Sequence, residues 1–370
     1  MPVMNGRSFD RDAVRFRPLA ERKNKVLAPR DLVLPGQAPG LLTASAAETL
    51  QEVAARIKAA RSAGSSVVCA FGAHAVKNGL GPVLAALMSQ GWFTHLATNG
   101  AGIIHDWEIA FQGGTSEDVR ENVAKGEFGI WEETGRYVNL AILVGAYEGL
   151  GYGQSVGALI ANQGLTVPRV DQLRRLVPHL LKEDPDRAAA GADLLSALEA
   201  QDIPSGFMKV PHPFSRFSVQ AEARRLSVPF TGHPSIGHDI IYAHPWNSGA
   251  AVGRAAIRDF LGFAHSISRL EGGVYLSVGS AVMSPMIFEK AFSMAQNVAL
   301  QSGAPIRNHY ILVVDIAESP WDWQRDGEPP ADNPAYYLRF CKTFARMGGT
   351  MRYLRADNRD FFLSLLRALS

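Results

Sequence analysis

Residues 96–108 read LATNGAGIIHDWE. An apolar run ends on Asn99. Glycines follow at 100 and 102, and a His105-Asp106 pair lies in what then reads as a helix. A strand that opens through a glycine turn into a helix is the junction from which parallel sheets are built. The same alternation recurs along the chain. Apolar runs at 65–73, 93–100, 227–233, 274–280, 310–316 and 351–357 read as strands. Stretches at 46–64, 79–91, 250–273, 285–303, 335–349 and 359–369 have helical spacing, and several end on glycine. Short, continuously apolar strands suit a parallel sheet covered on both faces. The expected fold is therefore α/β, doubly wound, with a mostly parallel six-stranded sheet.

Between residues 115 and 225 no strand stands out. Stretches at 131–149, 170–183 and 187–201 read as helices, and TSED at 115–118 reads as a helix start capped by Thr115. The organisation expected is an arm over 1–45 and one α/β domain over 46–370 carrying a helical insertion at about 115–225. The arm holds the basic stretch RFRPLAERKNKVLAPR at 15–30, read either as a solvated segment or as one that docks on a partner subunit.

Composition narrows the function classes. A net charge of +2 over 370 residues gives no global case for nucleic acid or membrane as a partner. The two cysteines, Cys69 and Cys341, cannot form a cysteine-based zinc site. No apolar run reaches membrane-spanning length and no signal-peptide core is visible, so the expected location is cytoplasmic.

Open parallel sheets bind ligands beyond the carboxyl ends of their strands. Polar groups collect there: His74 and Lys77 after the first strand, Asn99, His105 and Asp106 after the second, and His233, His238 and Asp239 after the third. Asp315 and Glu318 follow the fifth strand, and Asp357 the last. Gly100 and Gly102 suit either a tight strand-to-helix turn or a phosphate loop, because the third glycine of the dinucleotide fingerprint is missing. His233, His238, Asp239 and His244 would offer a metal only an irregular spacing. Lys342 sits among Phe340, Phe344 and Met347, where an apolar setting would lower its pKa and free the amine for attack on a carbonyl. The acidic loop over Glu318, Asp322, Asp326, Glu328 and Asp332 would attract a cationic amine.

Taken in order, FGAHAVKNGLGPVLAALMSQGWFTHLATNGAGIIHDWE (71–108), VPFTGHPSIGHDIIYAHPW (228–246), GGVYLSVGSAV (272–282) and YLRADNRDFFLSLL (353–366) resemble the deoxyhypusine synthase family. The resemblance implies a Rossmann-like NAD-binding fold, a homotetramer, and oxidation of a polyamine with transfer of its aminoalkyl group through a lysine imine to a protein acceptor. It would place Asn99, Gly100, Ala101, Gly102 and Asp357 on NAD, Asp239 on the substrate amine, and Lys342 as the imine-forming lysine; Asp106 is a further cofactor candidate, and His105 and His238 are further catalytic candidates, by their positions after the strands. The chain departs from the family in four places, one being His105 where an acid is expected two residues before Trp107. Phe340-Cys341 precede the lysine in place of Trp-Gly, the family's Gly-Ser-Asp-Ser-Gly loop is absent, and the histidine expected after the Gly-rich strand is missing. Two alternatives use the same sheet: a hydrolase or lyase with His/Asp acid–base groups and no NAD, and a non-catalytic NAD-binding protein.

Overall fold

The structure is a computed structural model and describes residues 9–319 and 321–370. Six strands form the sheet: β1 (Val67–Phe71), β2 (His95–Asn99), β3 (Phe230–His233), β4 (Val274–Val278), β5 (Tyr310–Asp315) and β6 (Thr350–Arg355). Their order is β6-β5-β4-β1-β2-β3, and every pairing is parallel. This is the doubly wound order of dinucleotide-binding Rossmann domains, with the connection reversing direction between β1 and β4. The strands are apolar throughout because both faces are covered. Val67, Cys69, Phe71, Leu276 and Leu312 join one core with α1 (Ala44–Ala63), α3 (Gly81–Ser89) and α14 (Asn358–Leu369). The alternate residues Val68, Ala70, Tyr275 and Ile311 join a second core with α11 (Gly249–Ser268), α12 (Met283–Gln301) and α13 (Arg339–Ala345).

The remaining helices are α2 (Ala73–Lys77), α4 (Gly100–Gln112), α5 (Val119–Lys125), α6 (Glu132–Glu148), α7 (Tyr152–Ala161), α8 (Val170–Glu183), α9 (Pro185–Ala200) and α10 (Val219–Leu226). The stretch between 115 and 225 is not strand-free, contrary to the sequence reading. Gly164–Val167 pairs antiparallel with Gly206–Lys209. Thr115 does not cap a helix. Asp118 caps α5, its carboxylate accepting from the Glu121 N–H. Thr115 instead lies on a two-residue strand paired with Val26–Leu27.

Among its described residues the arm is anchored to the domain, although most of the basic stretch is at least partly exposed. Leu19 is buried and Arg22 enters the interior. Arg11 donates to the carbonyls of Tyr242, Pro245 and Asn247, and so fastens the loop that follows β3. Among the described residues, no helix is long and apolar enough to cross a membrane.

Candidate functional site

The site is built around α4. Asn99 ends β2 and caps the helix, its Oδ1 accepting from the Gly102 N–H at 2.9 Å. Both glycines are accounted for by close packing within the protein itself. A Cβ on Gly102 would lie 2.2 Å from Thr98 Oγ1, and one on Gly100 would lie 2.1 Å from Asp239 Oδ2. The glycine turn thus lets the Asp239 carboxylate rest on the first turn of α4.

One helical turn on, His105 and Glu108 share a face, as residues three apart must. Glu108 is buried and held by both terminal guanidinium nitrogens of Arg22, at 2.7 and 2.8 Å. Thr115 Oγ1 donates to Glu108 Oε2 at 2.5 Å, and Thr134 Oγ1 donates to Oε1 at 3.1 Å. Burial pushes the Glu108 carboxyl up, but the charge and hydrogen bonds of Arg22, with His105 and Thr115, together outweigh it and hold the group below its ordinary value. His105 Nδ1 lies 2.7 Å from Thr115 Oγ1. Burial lowers His105 to about 4, aided by the Lys77, Arg22 and His74 charges and opposed by Glu108.

Arg22, His105 and Glu108 line a cavity of about 210 Å³ that also takes in Lys77, Ala101, His238 and Asp239, with Phe128 and Val119 as apolar wall. Asp239 Oδ2 is buried and has no hydrogen-bond partner among the described residues. Burial raises Asp239 to about 6, against the nearby His238. The Tyr152 and Tyr242 hydroxyls are likewise buried without a partner, and both feel the Asp239 charge. No described residue forms a salt bridge with Lys77.

Of the residues singled out from the sequence, His105, His238, Asp239 and Ala101 line this cavity, and Asn99, Gly100 and Gly102 shape its helix end. The other three lie away from it. Asp106 is engaged on another side of α4. Its carboxylate accepts from Ser218 Oγ at 2.6 Å, from the Val219 and Gln220 N–H groups and from Gln220 Nε2, and so serves the N-terminus of α10. Asp357 caps α14 by accepting from the Arg359 N–H at 2.8 Å. Lys342 is not isolated among apolar groups. Its Nζ lies 3.7 Å from the Tyr336 ring centre and 3.4 Å from Glu328 Oε1. The acidic loop is also matched locally, with Glu318 on Arg355, Asp326 on Arg325 and Glu328 on Arg346. Among the described residues, no three His, Cys, Asp or Glu side chains are placed to hold a metal ion. His233 bonds to Thr231 and His244 pairs with Glu132.

Sequence reading missed Arg22, Glu108 and Thr115 as site residues. Helical spacing from His105 points to Glu108 rather than to the adjacent Asp106. Nothing local marks Arg22, which arrives from the arm.

No protein-family model matches the chain, and no curated protein matches it. Among solved structures it is similar to AgrE, in a ternary complex with ornithine and NAD+, with 17% identity over 88% of this chain and 33% of that one and a TM-score of 0.41. It is similar to a conserved putative LOR/SDH protein of Methanococcus maripaludis S2, with 11% identity over 91% and 73% of the two chains and a TM-score of 0.42. It is also similar to apo ArgZ, an arginine dihydrolase of the cyanobacterial ornithine-ammonia cycle, with 15% identity over 87% and 32% and a TM-score of 0.40. The chain spans about a third of the length of AgrE and ArgZ.

Proposed function

We propose that this protein is an enzyme that acts by acid–base chemistry on a small amine-bearing substrate held in the α4 cavity, as a lyase or hydrolase. The observation that carries this reading is the meeting of His105, His238 and Asp239 around one hollow. A carboxylate left without a partner at the cavity wall calls for a donor, and a substrate ammonium supplies one. Lys77 offers a charge to an acidic group at the substrate's other end, so an amino-acid-like zwitterion matches the lining. A cavity of about 210 Å³ suits a metabolite of that size. Ligand sites that bury larger molecules run to roughly 300–1,000 Å³.

The strand order favours a second reading, the NAD-dependent aminoalkyl transferase with a Lys342 imine. NAD is the cofactor such a sheet implies, and its pyrophosphate would sit at the α4 N-terminus on Asn99, Gly100, Ala101 and Gly102. The residues present do not fit it there. The Asp239 carboxylate already rests on Gly100, and a phosphate would face like charge. At the β1/β4 switch point a Cβ on Gly72 would lie 2.1 Å from the Gly279 carbonyl, so that glycine serves the close packing of the two strand ends.

Calorimetric titration with diamines, basic amino acids and NAD separates the two readings. The first expects one of the amines to bind, at least tenfold weaker binding in Asp239→Asn, and no need for NAD. Absence of amine binding, or binding indifferent to Asp239→Asn, would overturn it. A borohydride-trapped adduct on Lys342 formed with NAD and an amine would establish the second.

A further inference from the structure

We propose that Thr115 and Glu108 lock His105 as the neutral tautomer with its proton on Nδ1, so that Nε2 presents a lone pair to the cavity and His105 is its general base. The catalytic use of that lone pair rests on the reading above. The tautomer itself does not.

The argument is a count of donors and acceptors. An ionised carboxylate only accepts. Glu108 accepts from Arg22 and Thr134 at Oε1, and from Arg22 and Thr115 at Oε2. A threonine hydroxyl has one proton. At 2.5 Å from Glu108 Oε2 that proton points to the carboxylate, since the carboxylate has none to give. Toward His105, 2.7 Å away, Thr115 Oγ1 can then only accept. Nδ1 must carry the hydrogen. The charges of Lys77, Arg22 and His74 around the ring, together with its burial, favour the neutral imidazole, and Glu108 alone opposes them. The ring lines the cavity, and Nε2 makes no hydrogen bond to the described protein.

The same chain supports the base after it has acted. When Nε2 takes a proton from a substrate N–H or O–H, one N–H bond forms at the ring. The bond broken leaves its electron pair on the substrate. The imidazolium so formed lies with Nδ1 3.9 Å from Glu108 Oε2, which steadies the new charge. Thr115 is a positioning residue, because it acts only through His105. The arrangement also sets the substrate class. The group nearest His105 must be a donor, such as an amine or a hydroxyl, because a bare carboxylate or carbonyl there would face a lone pair.

The test needs no substrate. Protein labelled with nitrogen-15 at histidine gives long-range proton–nitrogen correlations that distinguish the two ring nitrogens. His105→Gln identifies the signal. At neutral pH the expected pattern is a protonated Nδ1 and an unprotonated Nε2, the form less populated in free imidazole side chains. A protonated Nε2, or the symmetric pattern of an imidazolium, would overturn the proposal. Thr115→Val should convert the His105 signal to a mixture or to the opposite tautomer, and Thr115→Ser should restore it. A Val variant with the wild-type pattern would also overturn it. Should Val unfold the protein, the wild-type and Ser spectra decide. Failure of amine binding leaves this spectrum untouched, so the two proposals fail separately.

Discussion

Arg22→Met tests how the arm supports the site. The guanidinium makes two bonds to Glu108, at 2.7 and 2.8 Å, and both side chains are about fully buried, at 2% and 1% exposure. Removing it leaves a buried carboxylate with only Thr115 and Thr134. Breaking one side of a buried pair costs about 3–5 kcal/mol, because the remaining charge stays out of water. Replacing both partners by apolar groups of similar volume is often neutral, so Arg22→Met/Glu108→Met should be less destabilised than Arg22→Met alone. The pH dependence changes sign as well. With Arg22 present, Glu108 is held below its ordinary value, so its contribution is full at neutral pH and is lost as pH falls through the folded-state value. Without Arg22, burial raises the same carboxyl, and its contribution falls as pH rises through the carboxylate range. Urea unfolding of wild type, the single variant and the double variant, at about pH 3, 5 and 8, measures all three effects. A loss under about 1 kcal/mol for Arg22→Met, or a double variant as unstable as the two singles summed, would refute the account of this pair.

Other expectations follow from single contacts. Asp259 is buried, accepts from the Gly153 and Gly232 N–H groups at 2.9 and 2.7 Å, and is raised by burial to about 7. Its folded-state pKa exceeds the unfolded one, so its contribution to stability declines as pH climbs from about 4 to about 7, by at most about 4 kcal/mol. Asp259→Asn should flatten that decline in thermal melts across this range. Gly100→Ala adds a Cβ 2.1 Å from Asp239 Oδ2. The carboxylate can swing away, so stability should change by less than about 1 kcal/mol, while calorimetric amine binding weakens at least tenfold. Arg11→Ala removes three carbonyl contacts from the 242–247 loop. Amide hydrogen exchange should quicken in that loop and leave the sheet strands unchanged.

The sheet was legible because its chemistry is uniform. Each strand is a continuous apolar run, and such runs have few other folded uses. The edges of elements were less so. The third strand was read from residue 227, but Ser227 has a left-handed backbone, with φ of 55°, and the strand begins at Phe230. The missed helix α7 is rich in small residues, and the reason is tertiary. A Cβ on Gly153 would meet the Phe230 carbonyl at 2.4 Å, and one on Gly157 the Gln220 carbonyl at 3.0 Å. The strand-end rule found His105, His238 and Asp239 because it depends only on topology. Lys342 was read instead from its apolar neighbours, and its matching with Tyr336 and Glu328 depends on how a loop folds back. The His105-Asp106 pair also misled, since neighbours on a helix point about 100° apart.

The arm that walls the cavity has a temporal consequence. Arg22 reaches a partner 86 positions along the chain, and Arg11 reaches carbonyls 231 to 236 positions away. Contacts of such span are slow to form, because a large loop must close before they are rewarded. Arg11 leaves the ribosome well before its anchor points exist. The hollow therefore closes only after the loop that follows β3 has been made, and a partly made chain carries the His105 imidazole without the His238 and Asp239 that complete its lining.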